Sequence, residues 1–327
     1  MREIFKESAA YYLLGVERAM SQRPEDRRSI EVKVRREGVR VYAQRYYAVP
    51  PEAVAARTLT APASSDDALT RLLPSAARPL ALATTVFAGP DTTKGVVRTN
   101  VDVGAFARED ETPVPLEIVT LAVDQTGRAI ASAQQTSTVT VTGPSGRPER
   151  TGQAHEINVQ SHEIDVQSHL ELAAGEYEIR VAVTDPATGK VASVFSEVTV
   201  PRFDRAQLSL SGVTVDMWSP VAGEPTATTR RTFHRTDRVR ALVQIYQGTE
   251  RTEPIAPVSM RVQILDSKGS AVRDQSLSFS EKMFANRRAD CVITLPLTAL
   301  PPGEYLLKLE ASLSRETAGR TLRFAVQ

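Results

Sequence analysis

The chain has 327 residues, 41% hydrophobic and 24% charged, which is enough for two or three domains that each bury a core. Its 40 Lys and Arg residues balance 39 Asp and Glu residues, so nothing draws it generally to nucleic acid or to an anionic membrane. A single cysteine excludes an intrachain disulfide and a cysteine-based metal cluster. No run of about 18 apolar residues predicts a membrane span, and the first residues, "MREIFKES", lack the apolar core of a signal peptide.

The first 50 residues predict a few strands after the end of a helix. The run "YYLLGV" (11–16) is typical of a buried strand. In "SIEVKVRR" (29–36), apolar and charged residues alternate with the period of two that marks a half-buried strand. A turn at Gly38 leads into "VRVYAQRYYAV" (39–49), so residues 29–47 are predicted to form a hairpin.

Residues 51–78 are rich in Ala, Pro and Ser, and we interpret them as a linker that contains one short helix. Pro74 limits the length of this helix. Ser65 is predicted to cap this helix, and Asp66 and Asp67 give it an acidic first turn. Its predicted apolar face consists of Leu69, Leu72 and Leu73.

From Leu80 onward nearly every segment alternates, and Gly, Pro, Asp and Ser mark most gaps. Many short strands without intervening helices favour β-sandwiches over a parallel sheet. Pro201–Arg202–Phe203 separates two similar halves, which predicts one sandwich over residues 79–202 and a second over 205–327. The predicted fold class is therefore mainly β: two tandem immunoglobulin- or fibronectin-III-like sandwiches.

An internal repeat supports this division. "LAAGEYEIRVAV" (172–183) returns as "LPPGEYLLKLEA" (300–311), and "LAVDQTGRAI" (121–130) returns as "QILDSKGSAV" (263–272). The Asp-x-x-Gly of each shorter pair predicts a hairpin turn. Between the Asp-x-x-Gly turn and the Gly-Glu-Tyr motif, the first half is 14 residues longer than the second. This longer stretch contains "HEINVQSHEIDVQS" (155–168), a duplicated heptapeptide. We interpret it as a local expansion inside one connection.

Few residues in the sequence suggest a catalytic or metal-binding role. His155, His162 and His169 recur every seven residues, but the residues between them alternate like strands, so we expect an edge or loop and no metal site. "DQSLS" (274–278) matches the start of a metal-ion-dependent adhesion site, yet it is predicted to be an ordinary strand. His234 is predicted to be a surface histidine, and Cys291 a small buried apolar residue. We therefore predict no catalytic, cofactor-binding or metal-binding residue and no cofactor.

One basic segment is a weak candidate for ligand contact. "TTRRTFHRTDRVR" (228–240) could hold an acidic glycan or a phosphate, although a solvated strand entry is favoured. Trp218 is expected to pack in a core or between domains, with an exposed binding aromatic as the second interpretation. The weak ligand-contact candidates are Trp218, Arg230, Arg231 and Arg235.

Residues 7–50 resemble part of one known protein family. "ESAAYYLLGV" followed by "RRSIEVKVRREGVRVYAQRYYAVP" resembles the end of the von Willebrand factor A-related domains of acidobacterial-type proteins. Val16 departs from the usual Tyr, and Gln44–Arg45 from the usual Arg-Gly. The resemblance implies a C-terminal α+β remnant over residues 1–50, with the rest of that domain expected upstream of Met1. No residue here matches the family's metal ligands, and the family's setting implies an exported or envelope location.

The leading functional hypothesis is a non-enzymatic spacer and protein-interaction module. The alternative is an accessory module that binds carbohydrate or another ligand. A hydrolase is third, and it requires carboxylates such as Asp102, Glu117 or Glu178 to meet in a cleft. A protein partner is favoured over a glycan, with no nucleic acid and no membrane span.

Overall fold

The computed structural model describes residues 27–29, 46–48, 61–71, 73–90, 93–108, 112–141, 156–159, 165–218, 224–248 and 252–327. The chain divides into two units, residues 1–61 and 62–327. In the first unit, strand β1 (Arg27–Ser29) pairs antiparallel with β2 (Tyr46–Ala48). This pairing agrees with the two ends of the predicted hairpin. The "YYLLGV" strand and the turn at Gly38 lie outside the described residues.

The second unit begins with the predicted short helix, α1 (Ser65–Thr70). Its N-cap is Ser64, whose hydroxyl accepts a hydrogen bond from Asp67 N at 3.1 Å, so the prediction of Ser65 was wrong by one residue. Ser65 instead lies 2.7 Å from the Thr184 hydroxyl on the neighbouring sheet. Among the described residues, no helix is long and apolar enough to cross a membrane.

Sandwich 1 contains the eight strands that follow α1. One sheet has the order β3-β4-β8, and the other has the order β10-β9-β5-β6-β7. The strands are β3 (Ala81–Ala88), β4 (Lys94–Asp102), β5 (Val114–Asp124), β6 (Ala129–Val141), β7 (Glu156–Val159), β8 (Asp165–Ala173), β9 (Gly175–Asp185) and β10 (Lys190–Val200). All pairings are antiparallel except β6 with β7.

Sandwich 2 contains the last ten strands. One sheet has the order β11-β15-β12-β13, with β18 on the other side of β15, and the second has the order β14-β20-β19-β16-β17. The strands are β11 (Ser209–Leu210), β12 (Thr214–Trp218), β13 (Pro225–Ala227), β14 (Thr232–Phe233), β15 (Val239–Tyr246), β16 (Val258–Asp266), β17 (Ala271–Phe279), β18 (Arg288–Thr294), β19 (Gly303–Leu313) and β20 (Glu316–Val326). The mainly β prediction is therefore confirmed.

The repeat seen in the sequence is also a repeat of strand register. Asp124 of β5 lies opposite Tyr177 of β9, and Asp266 of β16 lies opposite Tyr305 of β19. Both aspartates close their hairpins in the same way. Asp124 Oδ1 accepts from the amides of residues 126 and 128, and Asp266 Oδ1 accepts from those of residues 268 and 270. The aspartate-closed hairpin and its pairing with the tyrosine strand are therefore repeated in the two halves.

The two sandwiches differ on the outer face of the sheet that contains β5 in sandwich 1 and β16 in sandwich 2. In sandwich 1 this face is apolar, and α1 packs on it through Leu69 against Ala182 and Val191. The residue of sandwich 2 that corresponds to Val119 is Arg261, which pairs with Asp274 at 2.6 Å on an exposed surface. A strap segment (residues 62–78) thus covers sandwich 1 alone, because only that sheet has an apolar outer face to bury.

The two copies of the duplicated heptapeptide lie in different sheets. Residues 156–159 of the first copy form β7, which extends the larger sheet of sandwich 1. Residues 165–168 of the second copy begin β8, in the smaller sheet. The expansion therefore sits in the connection between β6 and β8, as the sequence predicts. His169 is exposed on β8, whereas His155 and His162 lie outside the described residues.

Candidate functional site

The centre of the joint between the sandwiches is a tyrosine of sandwich 2 that belongs to the core of sandwich 1. Tyr246, at the end of β15, is 1% exposed and packs within that core. Its hydroxyl donates to Gln244 Oε1 at 2.6 Å and accepts from Ala88 N at 3.1 Å. Burial raises the pKa of Tyr246 to about 12. The phenol therefore stays neutral and joins the sandwiches by packing and by hydrogen bonding.

Backbone contact adds to this joint. Gly212 N, in the connection between β11 and β12, donates to Val86 O of β3 at 2.9 Å. A Cβ atom at Gly212 would lie 2.9 Å from the Thr85 methyl group and 3.2 Å from Val86 N. The chain approaches β3 this closely because residue 212 has no side chain. The two sandwiches thus share one continuous packed boundary.

A half-buried carboxylate forms a second contact between the sandwiches. Both oxygens of Asp165, the first residue of β8, accept the amide hydrogen of Thr229 at 3.1 Å. Burial raises the pKa of Asp165, and the neighbouring carboxylate of Asp102, its cross-strand partner, raises it further. The threonine hydroxyls of residues 228 and 229 act in the opposite direction. Asp165 therefore holds the segment before β14 onto sandwich 1.

Arg231 lies in the same region, and its side chain is partly exposed. Its Nη1 donates to the carbonyl oxygens of Thr228 at 3.0 Å and Arg230 at 2.7 Å. Neither Nε nor Nη2 has a hydrogen-bond partner among the described residues, and no carboxylate lies within 4 Å of the guanidinium there. Burial lowers the pKa of Arg231, and the charge of Asp165 opposes this shift.

A polar pocket opens beside this guanidinium. It has a volume of about 460 Å³ and lies where the end of sandwich 1 meets the segment before β14. Its lining comes from Ala81 and Asp102 of sandwich 1 and from five residues of sandwich 2: Thr229, Arg230, Arg231, Thr232 and Gln327. The joint therefore contains both packed contacts and an accessible cavity.

The other arginine candidates are occupied by contacts within the chain. Arg230 donates to Thr232 O, lies 3.6 Å from Asp237 and covers the ring of Phe233. Arg235 donates to the carbonyl oxygen of Thr298, and its amide donates to Gln327 O at 3.3 Å. Of the four weak ligand-contact candidates, Arg230 and Arg231 line the polar pocket, and Trp218 and Arg235 do not.

Trp218 ends β12, in the sheet of sandwich 2 that contains β15. The guanidinium carbons of Arg238 and Arg240 lie 5.2 and 5.3 Å from its ring centroid. Arg240 also contacts Asp216 at 2.9 Å. Trp218 is partly exposed, and its ring makes cation–π contacts with these two arginines.

Three other interpretations from the sequence hold. Cys291 is 1% exposed, and burial raises its thiol pKa to about 11. Asp274 lies inside β17, as expected of an ordinary strand. His234 is exposed, and its amide donates to Asp237 Oδ2 at 2.8 Å.

The topology separates the carboxylates on which a hydrolase would depend. Asp102 ends β4 in the smaller sheet of sandwich 1, whereas Glu117 and Glu178 lie in the larger sheet. Glu178 is opposite Val123, six residues along β5 from Glu117, which is about 20 Å. Glu178 also pairs with Arg180 at 2.6 Å. These three side chains do not meet in a cleft.

Sequence reasoning missed Tyr246 and Asp165. Tyr246 is the last residue of an ordinary alternating strand, β15. It lies on the face of β15 that points away from the core of sandwich 2, so its side chain would be expected to be exposed in an isolated sandwich. Asp165 had one available signal, since it is the only position at which the two heptapeptide copies differ, with Asn158 in the first. That difference coincides with the contact between sandwiches, which only the second copy makes.

No protein-family model matches the chain, and no curated protein matches it. A putative β-galactosidase of Bacteroides fragilis is similar in structure, with a TM-score of 0.28 and 12% identity, over 71% of this chain and 32% of that one. Dimeric latent PorU of Porphyromonas gingivalis gives 0.30 and 13%, over 76% and 20%. A β-glucuronidase of Bacteroides uniformis gives 0.27 and 9%, over 71% and 26%. This chain thus spans a third or less of each, and likeness of this degree carries no functional argument.

Proposed function

We propose that the chain is a non-enzymatic module whose two sandwiches act as one rigid spacer that presents protein-interaction surfaces. The observation that carries this proposal is the burial of Tyr246 in the core of the neighbouring sandwich. Two sandwiches joined by a flexible tether would each keep a closed core of their own. Here removal of either sandwich exposes core side chains of the other, which supports a fixed relative orientation.

We propose further that both sandwiches are of the immunoglobulin or fibronectin-III type. The hydroxyl of Tyr177 donates to Ala173 O at 3.1 Å, and that of Tyr305 donates to Pro301 O at 2.7 Å. A tyrosine near the start of a strand that binds the backbone a few residues upstream is a tyrosine corner, a hallmark of such sandwiches. The α+β remnant over residues 1–50 and an exported setting rest on the sequence resemblance and remain proposals.

Equilibrium unfolding of the full chain tests the rigid module. Urea unfolding followed by hydrogen-exchange mass spectrometry reports on β5 and β16 separately. The proposal expects both strands to lose protection in one transition. Two transitions at clearly different urea concentrations would contradict it. In a parallel assay, turnover of chromogenic glycosides or esters that co-purifies with the chain would refute the non-enzymatic part.

A ligand-binding accessory module is the second candidate function. The polar pocket beside Arg231 favours it, because its lining brings a guanidinium together with hydroxyl, amide and carboxylate groups that can bind a polar ligand. Binding at this pocket is compatible with a rigid spacer, since the ligand would sit at the joint and stabilise it.

A further inference from the structure

The sheet of sandwich 2 that contains β15 has one face in the core and one face turned outward. Side chains alternate between the two faces of a strand, and the odd-numbered residues of β12, β15 and β18 pack in the core of sandwich 2. On the outward face, Tyr246 is covered by sandwich 1. Farther from the joint, Val292 is 49% exposed, and Leu242 and Trp218 are half-buried. The outward face thus continues from the joint to side chains that stay accessible.

Five side chains of this face form what we call the outer patch: Trp218, Arg238, Arg240, Leu242 and Val292. Leu242 of β15 lies directly opposite Val292 of β18, so the two form an aliphatic pair. At the other end of the patch, Trp218 N donates to Arg238 O at 3.0 Å, and the ring of Trp218 contacts the guanidiniums of Arg238 and Arg240. Tryptophan and arginine are enriched among the residues that dominate binding at protein interfaces.

The outer patch carries a positive charge that the described part of the chain does not neutralise. Arg240 pairs with Asp216 at 2.9 Å. Arg238 is exposed, and its guanidinium has no carboxylate partner among the residues that the structure describes. A cation–π contact with Trp218 leaves the charge of Arg238 in place. The patch therefore complements a partner that brings a carboxylate to Arg238.

The corresponding sheet of sandwich 1 lacks such an aliphatic pair in its middle. There β4 and β8 hold the places of β15 and β18 in chain order and in pairing. The outward residues at the middle of β4 are Arg98, which lies opposite His169, and Asn100, which lies opposite Gln167. A sheet of this type thus forms with polar pairs at these positions, so the exposed Leu242–Val292 pair is not needed to build it.

We propose that the outer patch binds an extended acidic peptide of a partner protein. Its carboxylate would bind Arg238, and its aliphatic side chain would pack on Leu242 and Val292. Arg238 and Leu242 are four positions apart, which is about 13 Å along a strand. An extended peptide spans this distance in four residues and keeps both side chains on one face. The recognised motif is therefore Asp or Glu four positions from Leu, Ile or Val. This inference rests on the proposed interaction function, and it names the surface and the chemistry of the partner.

Peptide display on the immobilised full chain tests the proposal. A library of random dodecapeptides should be enriched in sequences with Asp or Glu four positions from an aliphatic residue. Fluorescence polarisation of the most enriched peptide should give a Kd of about 10–100 μM, as expected for a short segment that becomes ordered on binding. Failure to enrich any peptide, or enrichment of peptides without a carboxylate, overturns the proposal.

Variants with matched controls locate the site. Arg238→Glu and Val292→Glu should each weaken binding of the enriched peptide by about tenfold or more. Arg273→Glu and Val272→Glu make the same changes on β17, in the other sheet, where Val272 is 47% exposed. These controls should bind as the unaltered chain does. Unchanged binding by either patch variant overturns the assignment. If Val292→Glu fails to fold, Val292→Thr replaces it, with an expected loss of about threefold.

Two further measurements identify a different occupant. Binding of a heparin oligosaccharide that depends on Arg238 but not on Val292 would assign the patch to an acidic glycan. A dimer in sedimentation velocity that Val292→Glu abolishes would assign it to a second copy of the chain. Either result overturns the peptide proposal. A single urea transition without peptide binding would remove this surface and leave the rigid spacer intact, so the two proposals fail separately.

Discussion

The rings of Tyr246 and Phe203 meet at 60° with their centroids 4.9 Å apart, and each side chain is 1% exposed. Phe203 lies in the short connection between the sandwiches, and Tyr246 ends a strand of sandwich 2, yet both belong to the core of sandwich 1. The connection and the second sandwich thus complete the first. This relationship makes the joint the most informative place to perturb the molecule.

The first prediction concerns Tyr246. Tyr246→Ala would leave a cavity in the joint and should lower the free energy of unfolding by about 3–5 kcal/mol. Tyr246→Phe keeps the ring but leaves Ala88 N without its acceptor, so we expect a loss of about 1–2 kcal/mol. Urea denaturation of the two variants measures both values. Equal losses would show that the hydroxyl, and not the packing of the ring, dominates the joint.

The second prediction concerns pH and Asp165. Its folded-state pKa is raised above the unfolded value of about 3.9, so its protonated form is favoured by folding. This stabilising contribution is fully present below the unfolded pKa and is lost as the pH rises through the folded pKa. Asp165→Asn, the residue present at position 158 of the first copy, removes the titration. The difference in stability between the unaltered chain and this variant should therefore change as the pH rises above the unfolded pKa of about 4. A difference that stays constant over this rise contradicts the prediction.

The third prediction concerns the strap segment, residues 62–78. Because Leu69 is buried against the larger sheet and Ser75 N donates to the Ser193 hydroxyl at 2.8 Å, these residues should resist cleavage. Limited proteolysis with mass spectrometry should yield a stable fragment that begins near residue 62. A fragment that begins near Leu80 would refute the packing of the strap. Leu69→Ala should restore cleavage within the strap, at a cost of about 2–4 kcal/mol.

The fourth prediction concerns Cys291. Because its pKa of about 11 leaves almost no thiolate at pH 8, and because its side chain is buried, iodoacetamide should not modify the native chain. In urea above the unfolding midpoint the same reagent should label it fully. Rapid labelling of the native chain would show that β18 opens locally.

The fifth prediction compares two equivalent turns. Gly127 has a φ of +83° and Gly269 a φ of +81°, which only glycine adopts without strain. Each glycine lies in an aspartate-closed hairpin of one sandwich. Gly127→Ala and Gly269→Ala should each lower stability by about 1–2 kcal/mol. If the sandwiches unfold as one unit, both variants should shift the same single transition, whereas independent sandwiches would shift different ones.

Several elements could be predicted because their cause is local. Alternation of apolar residues located β15, in which Val239, Ala241, Val243 and Ile245 are all buried. The aspartate-glycine turns followed from residue type alone. The helix cap was displaced by one residue, because Ser64 and Ser65 are equivalent by sequence and the neighbouring Thr184 hydroxyl binds the second.

The amino-acid sequence by itself determined the β-rich architecture, the repeat and the position of the hairpins, since each depends on residues within about ten positions of one another. The tertiary structure decided the roles of Tyr246 and Asp165. Burial and contact with the other sandwich arise where strands distant in sequence meet, and no periodicity encodes that meeting. For this reason the five arginines of residues 228–240 look alike in the sequence, whereas in the folded chain Arg230 and Arg231 line a pocket and Arg235 does not.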